Sequence, residues 1–217
     1  MTGWQIQRRR RSHLNAVLQD RTGRYFLKWF FHRGRRNPAQ LEWRNANQLE
    51  ALGIPTVEAV GWGRHDSGSF VVLRGADGLQ ADERWRHGIG AATALAWTDA
   101  LAVYVARLHD AGLCHRDLNV YHVLLDGASE LRLIDVGRVM GIGWWRPRRW
   151  LIKDLASLHY SAQREGFPPR LARRFLRRYV EATSRPWTTR RLLARVLAKS
   201  ARYRRHNEHK EGRGEPL

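Results

Sequence analysis

One spacing pattern constrains this chain more than its composition does. A long helical segment over residues 93–111 stops at Gly112 and is followed by His115-Arg116-Asp117. A short apolar strand (Val123 to Leu125), a turn at Asp126-Gly127 and a returning strand (Leu131 to Ile134) then lead to Asp135, with Gly137 two residues on. Asp117 and Asp135 are eighteen positions apart. That is the length a loop, a strand, a turn and a second strand need to bring two carboxylates to one cleft. The tripeptide alone says little in an arginine-rich chain; its place between a long helix and a strand pair is specific.

Upstream the rhythm is different. Residues 14–30 predict a hairpin about Asp20-Arg21-Thr22-Gly23, and residues 61–75 a second one about Asp66-Ser67-Gly68. Between them, residues 38–52 predict a helix with Pro38 in its first turn, Leu41, Leu49 and Leu52 on one face, and Gly53 as its stop. Residues 150–199 predict further helices, broken at Pro168-Pro169 and Pro186. The expected class is α+β with two lobes: a small antiparallel sheet with one helix (1–76), a mostly helical lobe (77–205) and a flexible polar tail (206–217).

Charge narrows the partners. The net charge is +19, with only four lysines, Lys28, Lys153, Lys199 and Lys210. Codon bias explains arginine in place of lysine but not the excess of base over acid. A polyanionic partner is expected: nucleic acid, an acidic membrane or a phosphorylated substrate. Cys114 is the single cysteine, which excludes an internal disulfide and suits a reducing cytosol. No apolar run approaches the roughly 18 residues of a membrane span, and Arg8 to Arg11 are not followed by the apolar segment of a secretory signal. A cytoplasmic protein is expected, with peripheral contact to a membrane.

Four groups fit phosphoryl transfer, which demands positioning and charge neutralisation more than covalent help. Lys28 ends the alternating run Tyr25-Phe26-Leu27-Lys28, and an ammonium there can reach nucleotide phosphates. Glu42, or Glu50 two turns on, can pair with it. Asp117 can accept or orient the proton of an acceptor hydroxyl. Asp135, at a strand end, can hold magnesium. His122, five residues after Asp117, can meet metal, phosphate, Asp117 or only its packing neighbours; hard magnesium favours oxygen over imidazole.

Taken together, Tyr25-Phe26-Leu27-Lys28, Glu42-Trp43-Arg44, Gly53-Ile54-Pro55, His115-Arg116-Asp117 with His122-Val123-Leu124-Leu125, Leu133-Ile134-Asp135 and Lys153-Asp154-Leu155-Ala156 resemble the lipopolysaccharide kinase family (Kdo/heptose, WaaP-like and InaA-like) from about residue 20 to residue 182. The resemblance implies a protein-kinase-like fold and a kinase that uses ATP and magnesium to phosphorylate Kdo or heptose of the lipopolysaccharide inner core. It implies Lys28 and Glu42 as the ion pair, Asp117 as base, Asp135 as metal ligand with His122 as a second metal or nucleotide contact, and Asp154 as a brace for the catalytic loop. It implies work at the inner face of the inner membrane. A monomer is expected, and the basic helices favour lipid over nucleic acid as their partner.

Two departures stand out. No Gly-x-Gly-x-x-Gly loop precedes Lys28; Arg10 to Asn15 stand there, with Arg11 or Ser12 and backbone amides as substitutes. Only nineteen positions separate Asp135 from Asp154, too few for a long regulated activation loop. The arginine–tryptophan stretch 138–150 reads either as a patch for anionic sugars, phosphates or headgroups or as core. The arginines from Arg170 to Arg205 read as a lipid-facing or solvated surface. The alternatives in other classes are a pseudokinase-like binding module on anionic lipid or lipopolysaccharide, and a small-molecule phosphotransferase.

Overall fold

Alternation of side chains through residues 13–31 builds the first hairpin, β2 (His13–Asp20) with β3 (Gly23–Phe31), preceded by β1 (Gln5–Arg9). The structure is a computed structural model that describes residues 3–32, 37–76, 78–126, 130–143, 147–211 and 213. Asp20 closes the turn: its Oδ1 accepts from the Thr22 and Gly23 N–H groups at 2.7 and 3.1 Å. After α1 (Pro38–Ala51) come β4 (Ala59–His65) and β5 (Gly68–Arg74), and the antiparallel sheet runs β1-β2-β3-β5-β4. Hairpin strands and helix fall where the sequence put them; β1 was not foreseen.

The chain divides into two compact units, Met1–Gly78 with Arg132–Val139, and Leu79–Leu131 with Met140–Leu217. Residues 132–139, counted with the second lobe from sequence, thus cluster with the first. The divide falls inside β9 (Glu130–Leu133). Asn45 explains the attachment. Its Nδ2 donates to the carbonyls of Val136 and Val139, each at 2.9 Å, and Thr56 Oγ1 donates to the Leu133 carbonyl at 2.7 Å.

The α1 helix starts well: Asn37 accepts from the Gln40 N–H at 3.0 Å and Pro38 takes the first helical position. Its inward face corrects the expected leucine stripe. Ala39, Glu42, Asn45, Ala46 and Leu49 are buried, whereas Leu41 and Leu52 are exposed. Two polar residues occupy that face because they have work inside: Asn45 holds the 136–139 turn and Glu42 meets a lysine. Ala39, Val57, Val71 and Leu73 form the unit's core, with Phe26, Phe30, Trp43, Trp62 and Ile134 against it.

The second unit contains β6 (Leu79–Gln80), α2 (Ala81–Arg86), α3 (Ala91–Asp110), β7 (Leu113–Cys114), β8 (Val123–Asp126), β10 (Met140–Gly141), α4 (Pro147–Arg164), α5 (Pro169–Ala182) and α6 (Thr189–Glu211). The strands form small sheets, β6 against β8 and β7 against β10. α3 packs on α5 and α4 on α6, around Leu108, Leu118, Leu151, Leu155, Tyr179 and Leu192. In α5, Leu171, Phe175, Leu176 and Tyr179 face inward and Arg170, Arg173, Arg177 and Arg178 outward. α6 continues to Glu211, through the first half of the region expected to fray. Gly127 of the expected turn and residues 144–146 of the arginine–tryptophan stretch lie outside the described residues. No described helix is long and apolar enough to cross a membrane.

Candidate active site

In the first unit, β3 carries Lys28 toward the buried face of α1. Its Nζ lies 2.6 Å from Glu42 Oε1 and 2.9 Å from Asp135 Oδ1. Glu42 is 1% exposed, Lys28 18% and Asp135 49%, so one end of the cluster is dry and the other wet. Glu50, the rival partner, is exposed. Desolvation draws the Lys28 pKa down, but Glu42 and then Asp135 outweigh it, and the value lies above that of an ordinary lysine. Lys28 is therefore a fixed cation. Asp135 sits in the left-handed region (φ 58°, ψ 50°), uncommon for a non-glycine residue and found where a site over-determines its backbone. A Cβ on Gly137 would come to 3.4 Å from Glu42 Oε2, so the turn passes in ordinary van der Waals range of the buried carboxylate.

The second unit holds the loop 115–122. Asp154, fully buried on α4, accepts from the backbone N–H of His115 at 2.6 Å and of Arg116 at 2.8 Å. Lys153 donates to the Arg116 carbonyl. Ser161 Oγ accepts from the Val120 N–H at 3.1 Å, and Tyr121 donates to Glu165 at 2.9 Å. Burial and then Glu165 push the Tyr121 phenol up to about 12. α4 thus grips the loop along much of its length, the bracing that the resemblance implied for Asp154.

Asn119 is the residue that sequence reasoning missed. Its Nδ2 donates to Asp117 Oδ1 at 3.1 Å, and its Oδ1 accepts from Ser157 Oγ at 2.9 Å. The Asp117 carboxylate is oriented by an amide that α4 itself orients. The only signal in the sequence was an amide two residues past Asp117 in a loop otherwise apolar at that point.

His122, expected to contact metal or nucleotide, is tied into the loop through one of its ring nitrogens. A backbone carbonyl can only accept, so His122 Nδ1 carries the proton it donates to the Asp117 carbonyl at 2.7 Å, and the ring stacks on His115 with centroids 5.6 Å apart. One ring nitrogen is thus committed to closing the loop. Among the described residues no group of three or more His, Cys, Asp and Glu side chains gathers to hold a metal. Within the cluster, the half-exposed Asp135 carboxylate offers the oxygen donor that a hard cation such as magnesium would take.

Comparisons with known proteins agree with this layout. The family model "Lipopolysaccharide kinase (Kdo/WaaP) family" matches residues 2–179. The lipopolysaccharide core heptose(I) kinase WaaP of Pseudomonas aeruginosa is 34% identical over 158 residues, 65% of this chain and 59% of that protein. The Escherichia coli K12 protein of the same name is 28% identical over 189 residues, 71% of this chain and 69% of that one. The chain thus spans about three fifths of the length of the Pseudomonas relative. Among solved structures, an aminoglycoside-3'-phosphotransferase of type VIII superposes with a TM-score of 0.69 at 20% identity, over 92% of this chain and 93% of that one. At that identity the likeness concerns the fold, which is protein-kinase-like. By the extent of the family match, the chain belongs to the lipopolysaccharide kinase (Kdo/WaaP) family.

Proposed function

We propose that this chain transfers the γ-phosphoryl group of ATP to a hydroxyl of a Kdo or heptose sugar in the lipopolysaccharide inner core. The observation that carries the reading is the Lys28–Glu42–Asp135 cluster, a cation fixed on one side by a buried carboxylate and on the other by an exposed one. In this reading Lys28 binds the nucleotide phosphates and Glu42 holds its ammonium in place. Asp135 would hold the magnesium that accompanies ATP, which would supply charge neutralisation at the phosphate oxygens. Asp117 accepts or orients the proton of the acceptor hydroxyl as its oxygen bonds the γ-phosphorus. The bond to the β–γ bridging oxygen breaks, and ADP leaves.

The acceptor is lipid-linked, and the outward arginines of α5, with those of α6, suit an anionic membrane surface at about 1 kcal/mol per basic residue near it. The protein then works as a peripheral, monomeric enzyme on the cytoplasmic side.

The test is incubation with ATP, magnesium and defined inner-core acceptors, followed by mass spectrometry. Wild-type protein should add one phosphate. Asp117→Ala should slow transfer by about 10²–10⁴-fold at an unchanged melting temperature. Equal turnover by the two proteins would sink the assignment of Asp117. Nucleotide binding without transfer to any acceptor would favour a pseudokinase.

A further inference from the structure

Beside Asp117 in the chain, Arg116 belongs to a cationic cluster of which only Lys153 has a role so far, its bond to the Arg116 carbonyl. Three cations gather on one indole: Arg116 Cζ, Arg149 Cζ and Lys153 Nζ lie 5.4, 5.7 and 5.9 Å from the centroid of the Trp150 ring. The ring's quadrupole attracts each of them weakly, and it does not cancel their mutual repulsion. Asp154, next to Lys153 in the chain, is committed to the backbone N–H groups of His115 and Arg116.

Arg74, Arg86 and Arg174 meet Glu58, Asp82 and Asp99 at 2.6, 2.5 and 2.5 Å. Among the described residues no carboxylate pairs with Arg116 or Arg149 in this way. The Arg116 Nε is buried without a hydrogen-bond partner. Its backbone is held at φ 67°, a region a long side chain rarely adopts unless its surroundings impose it. A strained arginine with a buried donor and no acceptor, beside two more cations, is half of a binding site.

We propose that Arg116, Arg149 and Lys153, gathered on Trp150, form a subsite for an oxyanion substituent, phosphate or carboxylate, carried by the sugar acceptor. The forked guanidinium donors and the compact ammonium suit such a group. Arg116 adjoins Asp117 in the chain, so the substituent bound is one close to the hydroxyl that is phosphorylated. The proposal rests on the kinase reading for the identity of the acceptor, but the binding of an oxyanion does not depend on turnover.

The experiment uses the full chain and two readouts. The first is the melting temperature titrated with inorganic phosphate at constant ionic strength. Phosphate should raise it in the wild type, and Arg149→Gln or Trp150→Leu should lose most of that rise. Arg170→Gln, which removes the same charge from the exposed face of α5, should keep it. Equal losses in all three variants would reduce the effect to overall charge and overturn the subsite.

The second readout is KM for a phosphorylated core acceptor and its dephosphorylated form. Arg149→Gln should raise KM for the first by about tenfold, as loss of a charged hydrogen bond predicts, and much less for the second. Equal changes for both acceptors would overturn the assignment to the acceptor. So would a loss of binding to phosphatidylglycerol vesicles with both KM values unmoved, which would give the cluster to a lipid headgroup. If the wild type turns over no acceptor, the kinase reading falls while the phosphate titration still decides the subsite.

Discussion

Glu42 and Asp154 are both buried carboxylates, and they are satisfied in opposite ways. Glu42, in the first unit, faces a side chain, the Lys28 ammonium at 2.6 Å. Asp154, in the second, faces the backbone N–H groups of His115 and Arg116, with His109 Nε2 at 3.5 Å. The first arrangement can be removed as a pair. The second cannot, because the N–H groups remain whatever stands at position 154. One region gathers its charges in a cluster that reaches solvent at Asp135; the other spends its charge on holding a loop still.

The largest expected effect follows from breaking the pair on one side. Lys28→Met removes the ammonium 2.6 Å from the buried Glu42 and should cost about 3–5 kcal/mol, measured by urea unfolding. Adding Glu42→Leu should return most of that stability while phosphate transfer stays absent. A double variant as unstable as the single one would refute the idea that the pair is replaceable as a unit.

Asp154→Ala orphans two backbone donors and should cost about 2–4 kcal/mol. Here Asp154→Leu should not rescue, since an apolar side chain accepts nothing. Asp154→Asn, which keeps one acceptor, should recover part of the loss. Equal stability of the Leu and Asn variants would remove the contrast with Glu42.

Asn119→Ala should lower kcat by about tenfold, a loss of the size expected for one charged hydrogen bond, with little change in KM for ATP. Ser157→Ala should act in the same direction but add nothing in the Asn119→Ala background, because both work through one amide. Fully additive losses would separate Ser157 from Asp117.

The smallest effects are on the pH profile of the melting temperature. The raised Lys28 pKa means that its contribution is complete below the ordinary lysine value and is lost as pH rises through the higher folded value. Lys28→Met should flatten the alkaline limb. Asp99 has the opposite sign. Hydrogen bonds from Arg174 hold its pKa below the ordinary carboxylate value, so its contribution is present above that value and lost as pH falls through the lower folded one. Arg174→Gln should flatten the acid limb by less than about 1 kcal/mol, since the pair is partly exposed.

How much of this was legible in the sequence depended on range. Asp20 and Gly23 announce a turn because the contacts that make it are two or three residues apart. Lys28 was readable as one cation in an apolar strand; its acid was not, since Glu42 and Glu50 both stood on the next helix and only the family resemblance favoured Glu42. The leucines of α1 misled because helical periodicity locates a face but not which face is inward; that was decided by Lys28 and by the 136–139 turn, ninety residues on. Asn119 with Ser157, and Arg116 with Trp150, depend on α4 folding back over the loop, and no local spacing encodes that. β1 escaped notice because Gln5-Ile6-Gln7-Arg8-Arg9 lacks a β-rich composition; its pairing with β2 makes it a strand.

That same strand governs how the protein behaves in concentrated solution. β1 ends the sheet order, every residue in it is exposed, Ile6 is 61% and Trp4 just before it 42% exposed. A sheet edge with uncovered apolar groups is a template for another copy of the chain. Arg8 and Arg9, followed by Arg10 and Arg11, make the approach of a second edge repulsive. Colloidal stability is then a property of the medium as much as of the fold: each increase in ionic strength shortens the reach of those four charges, and salt, which usually keeps basic proteins from clinging to other surfaces, should bring this one to cling to itself.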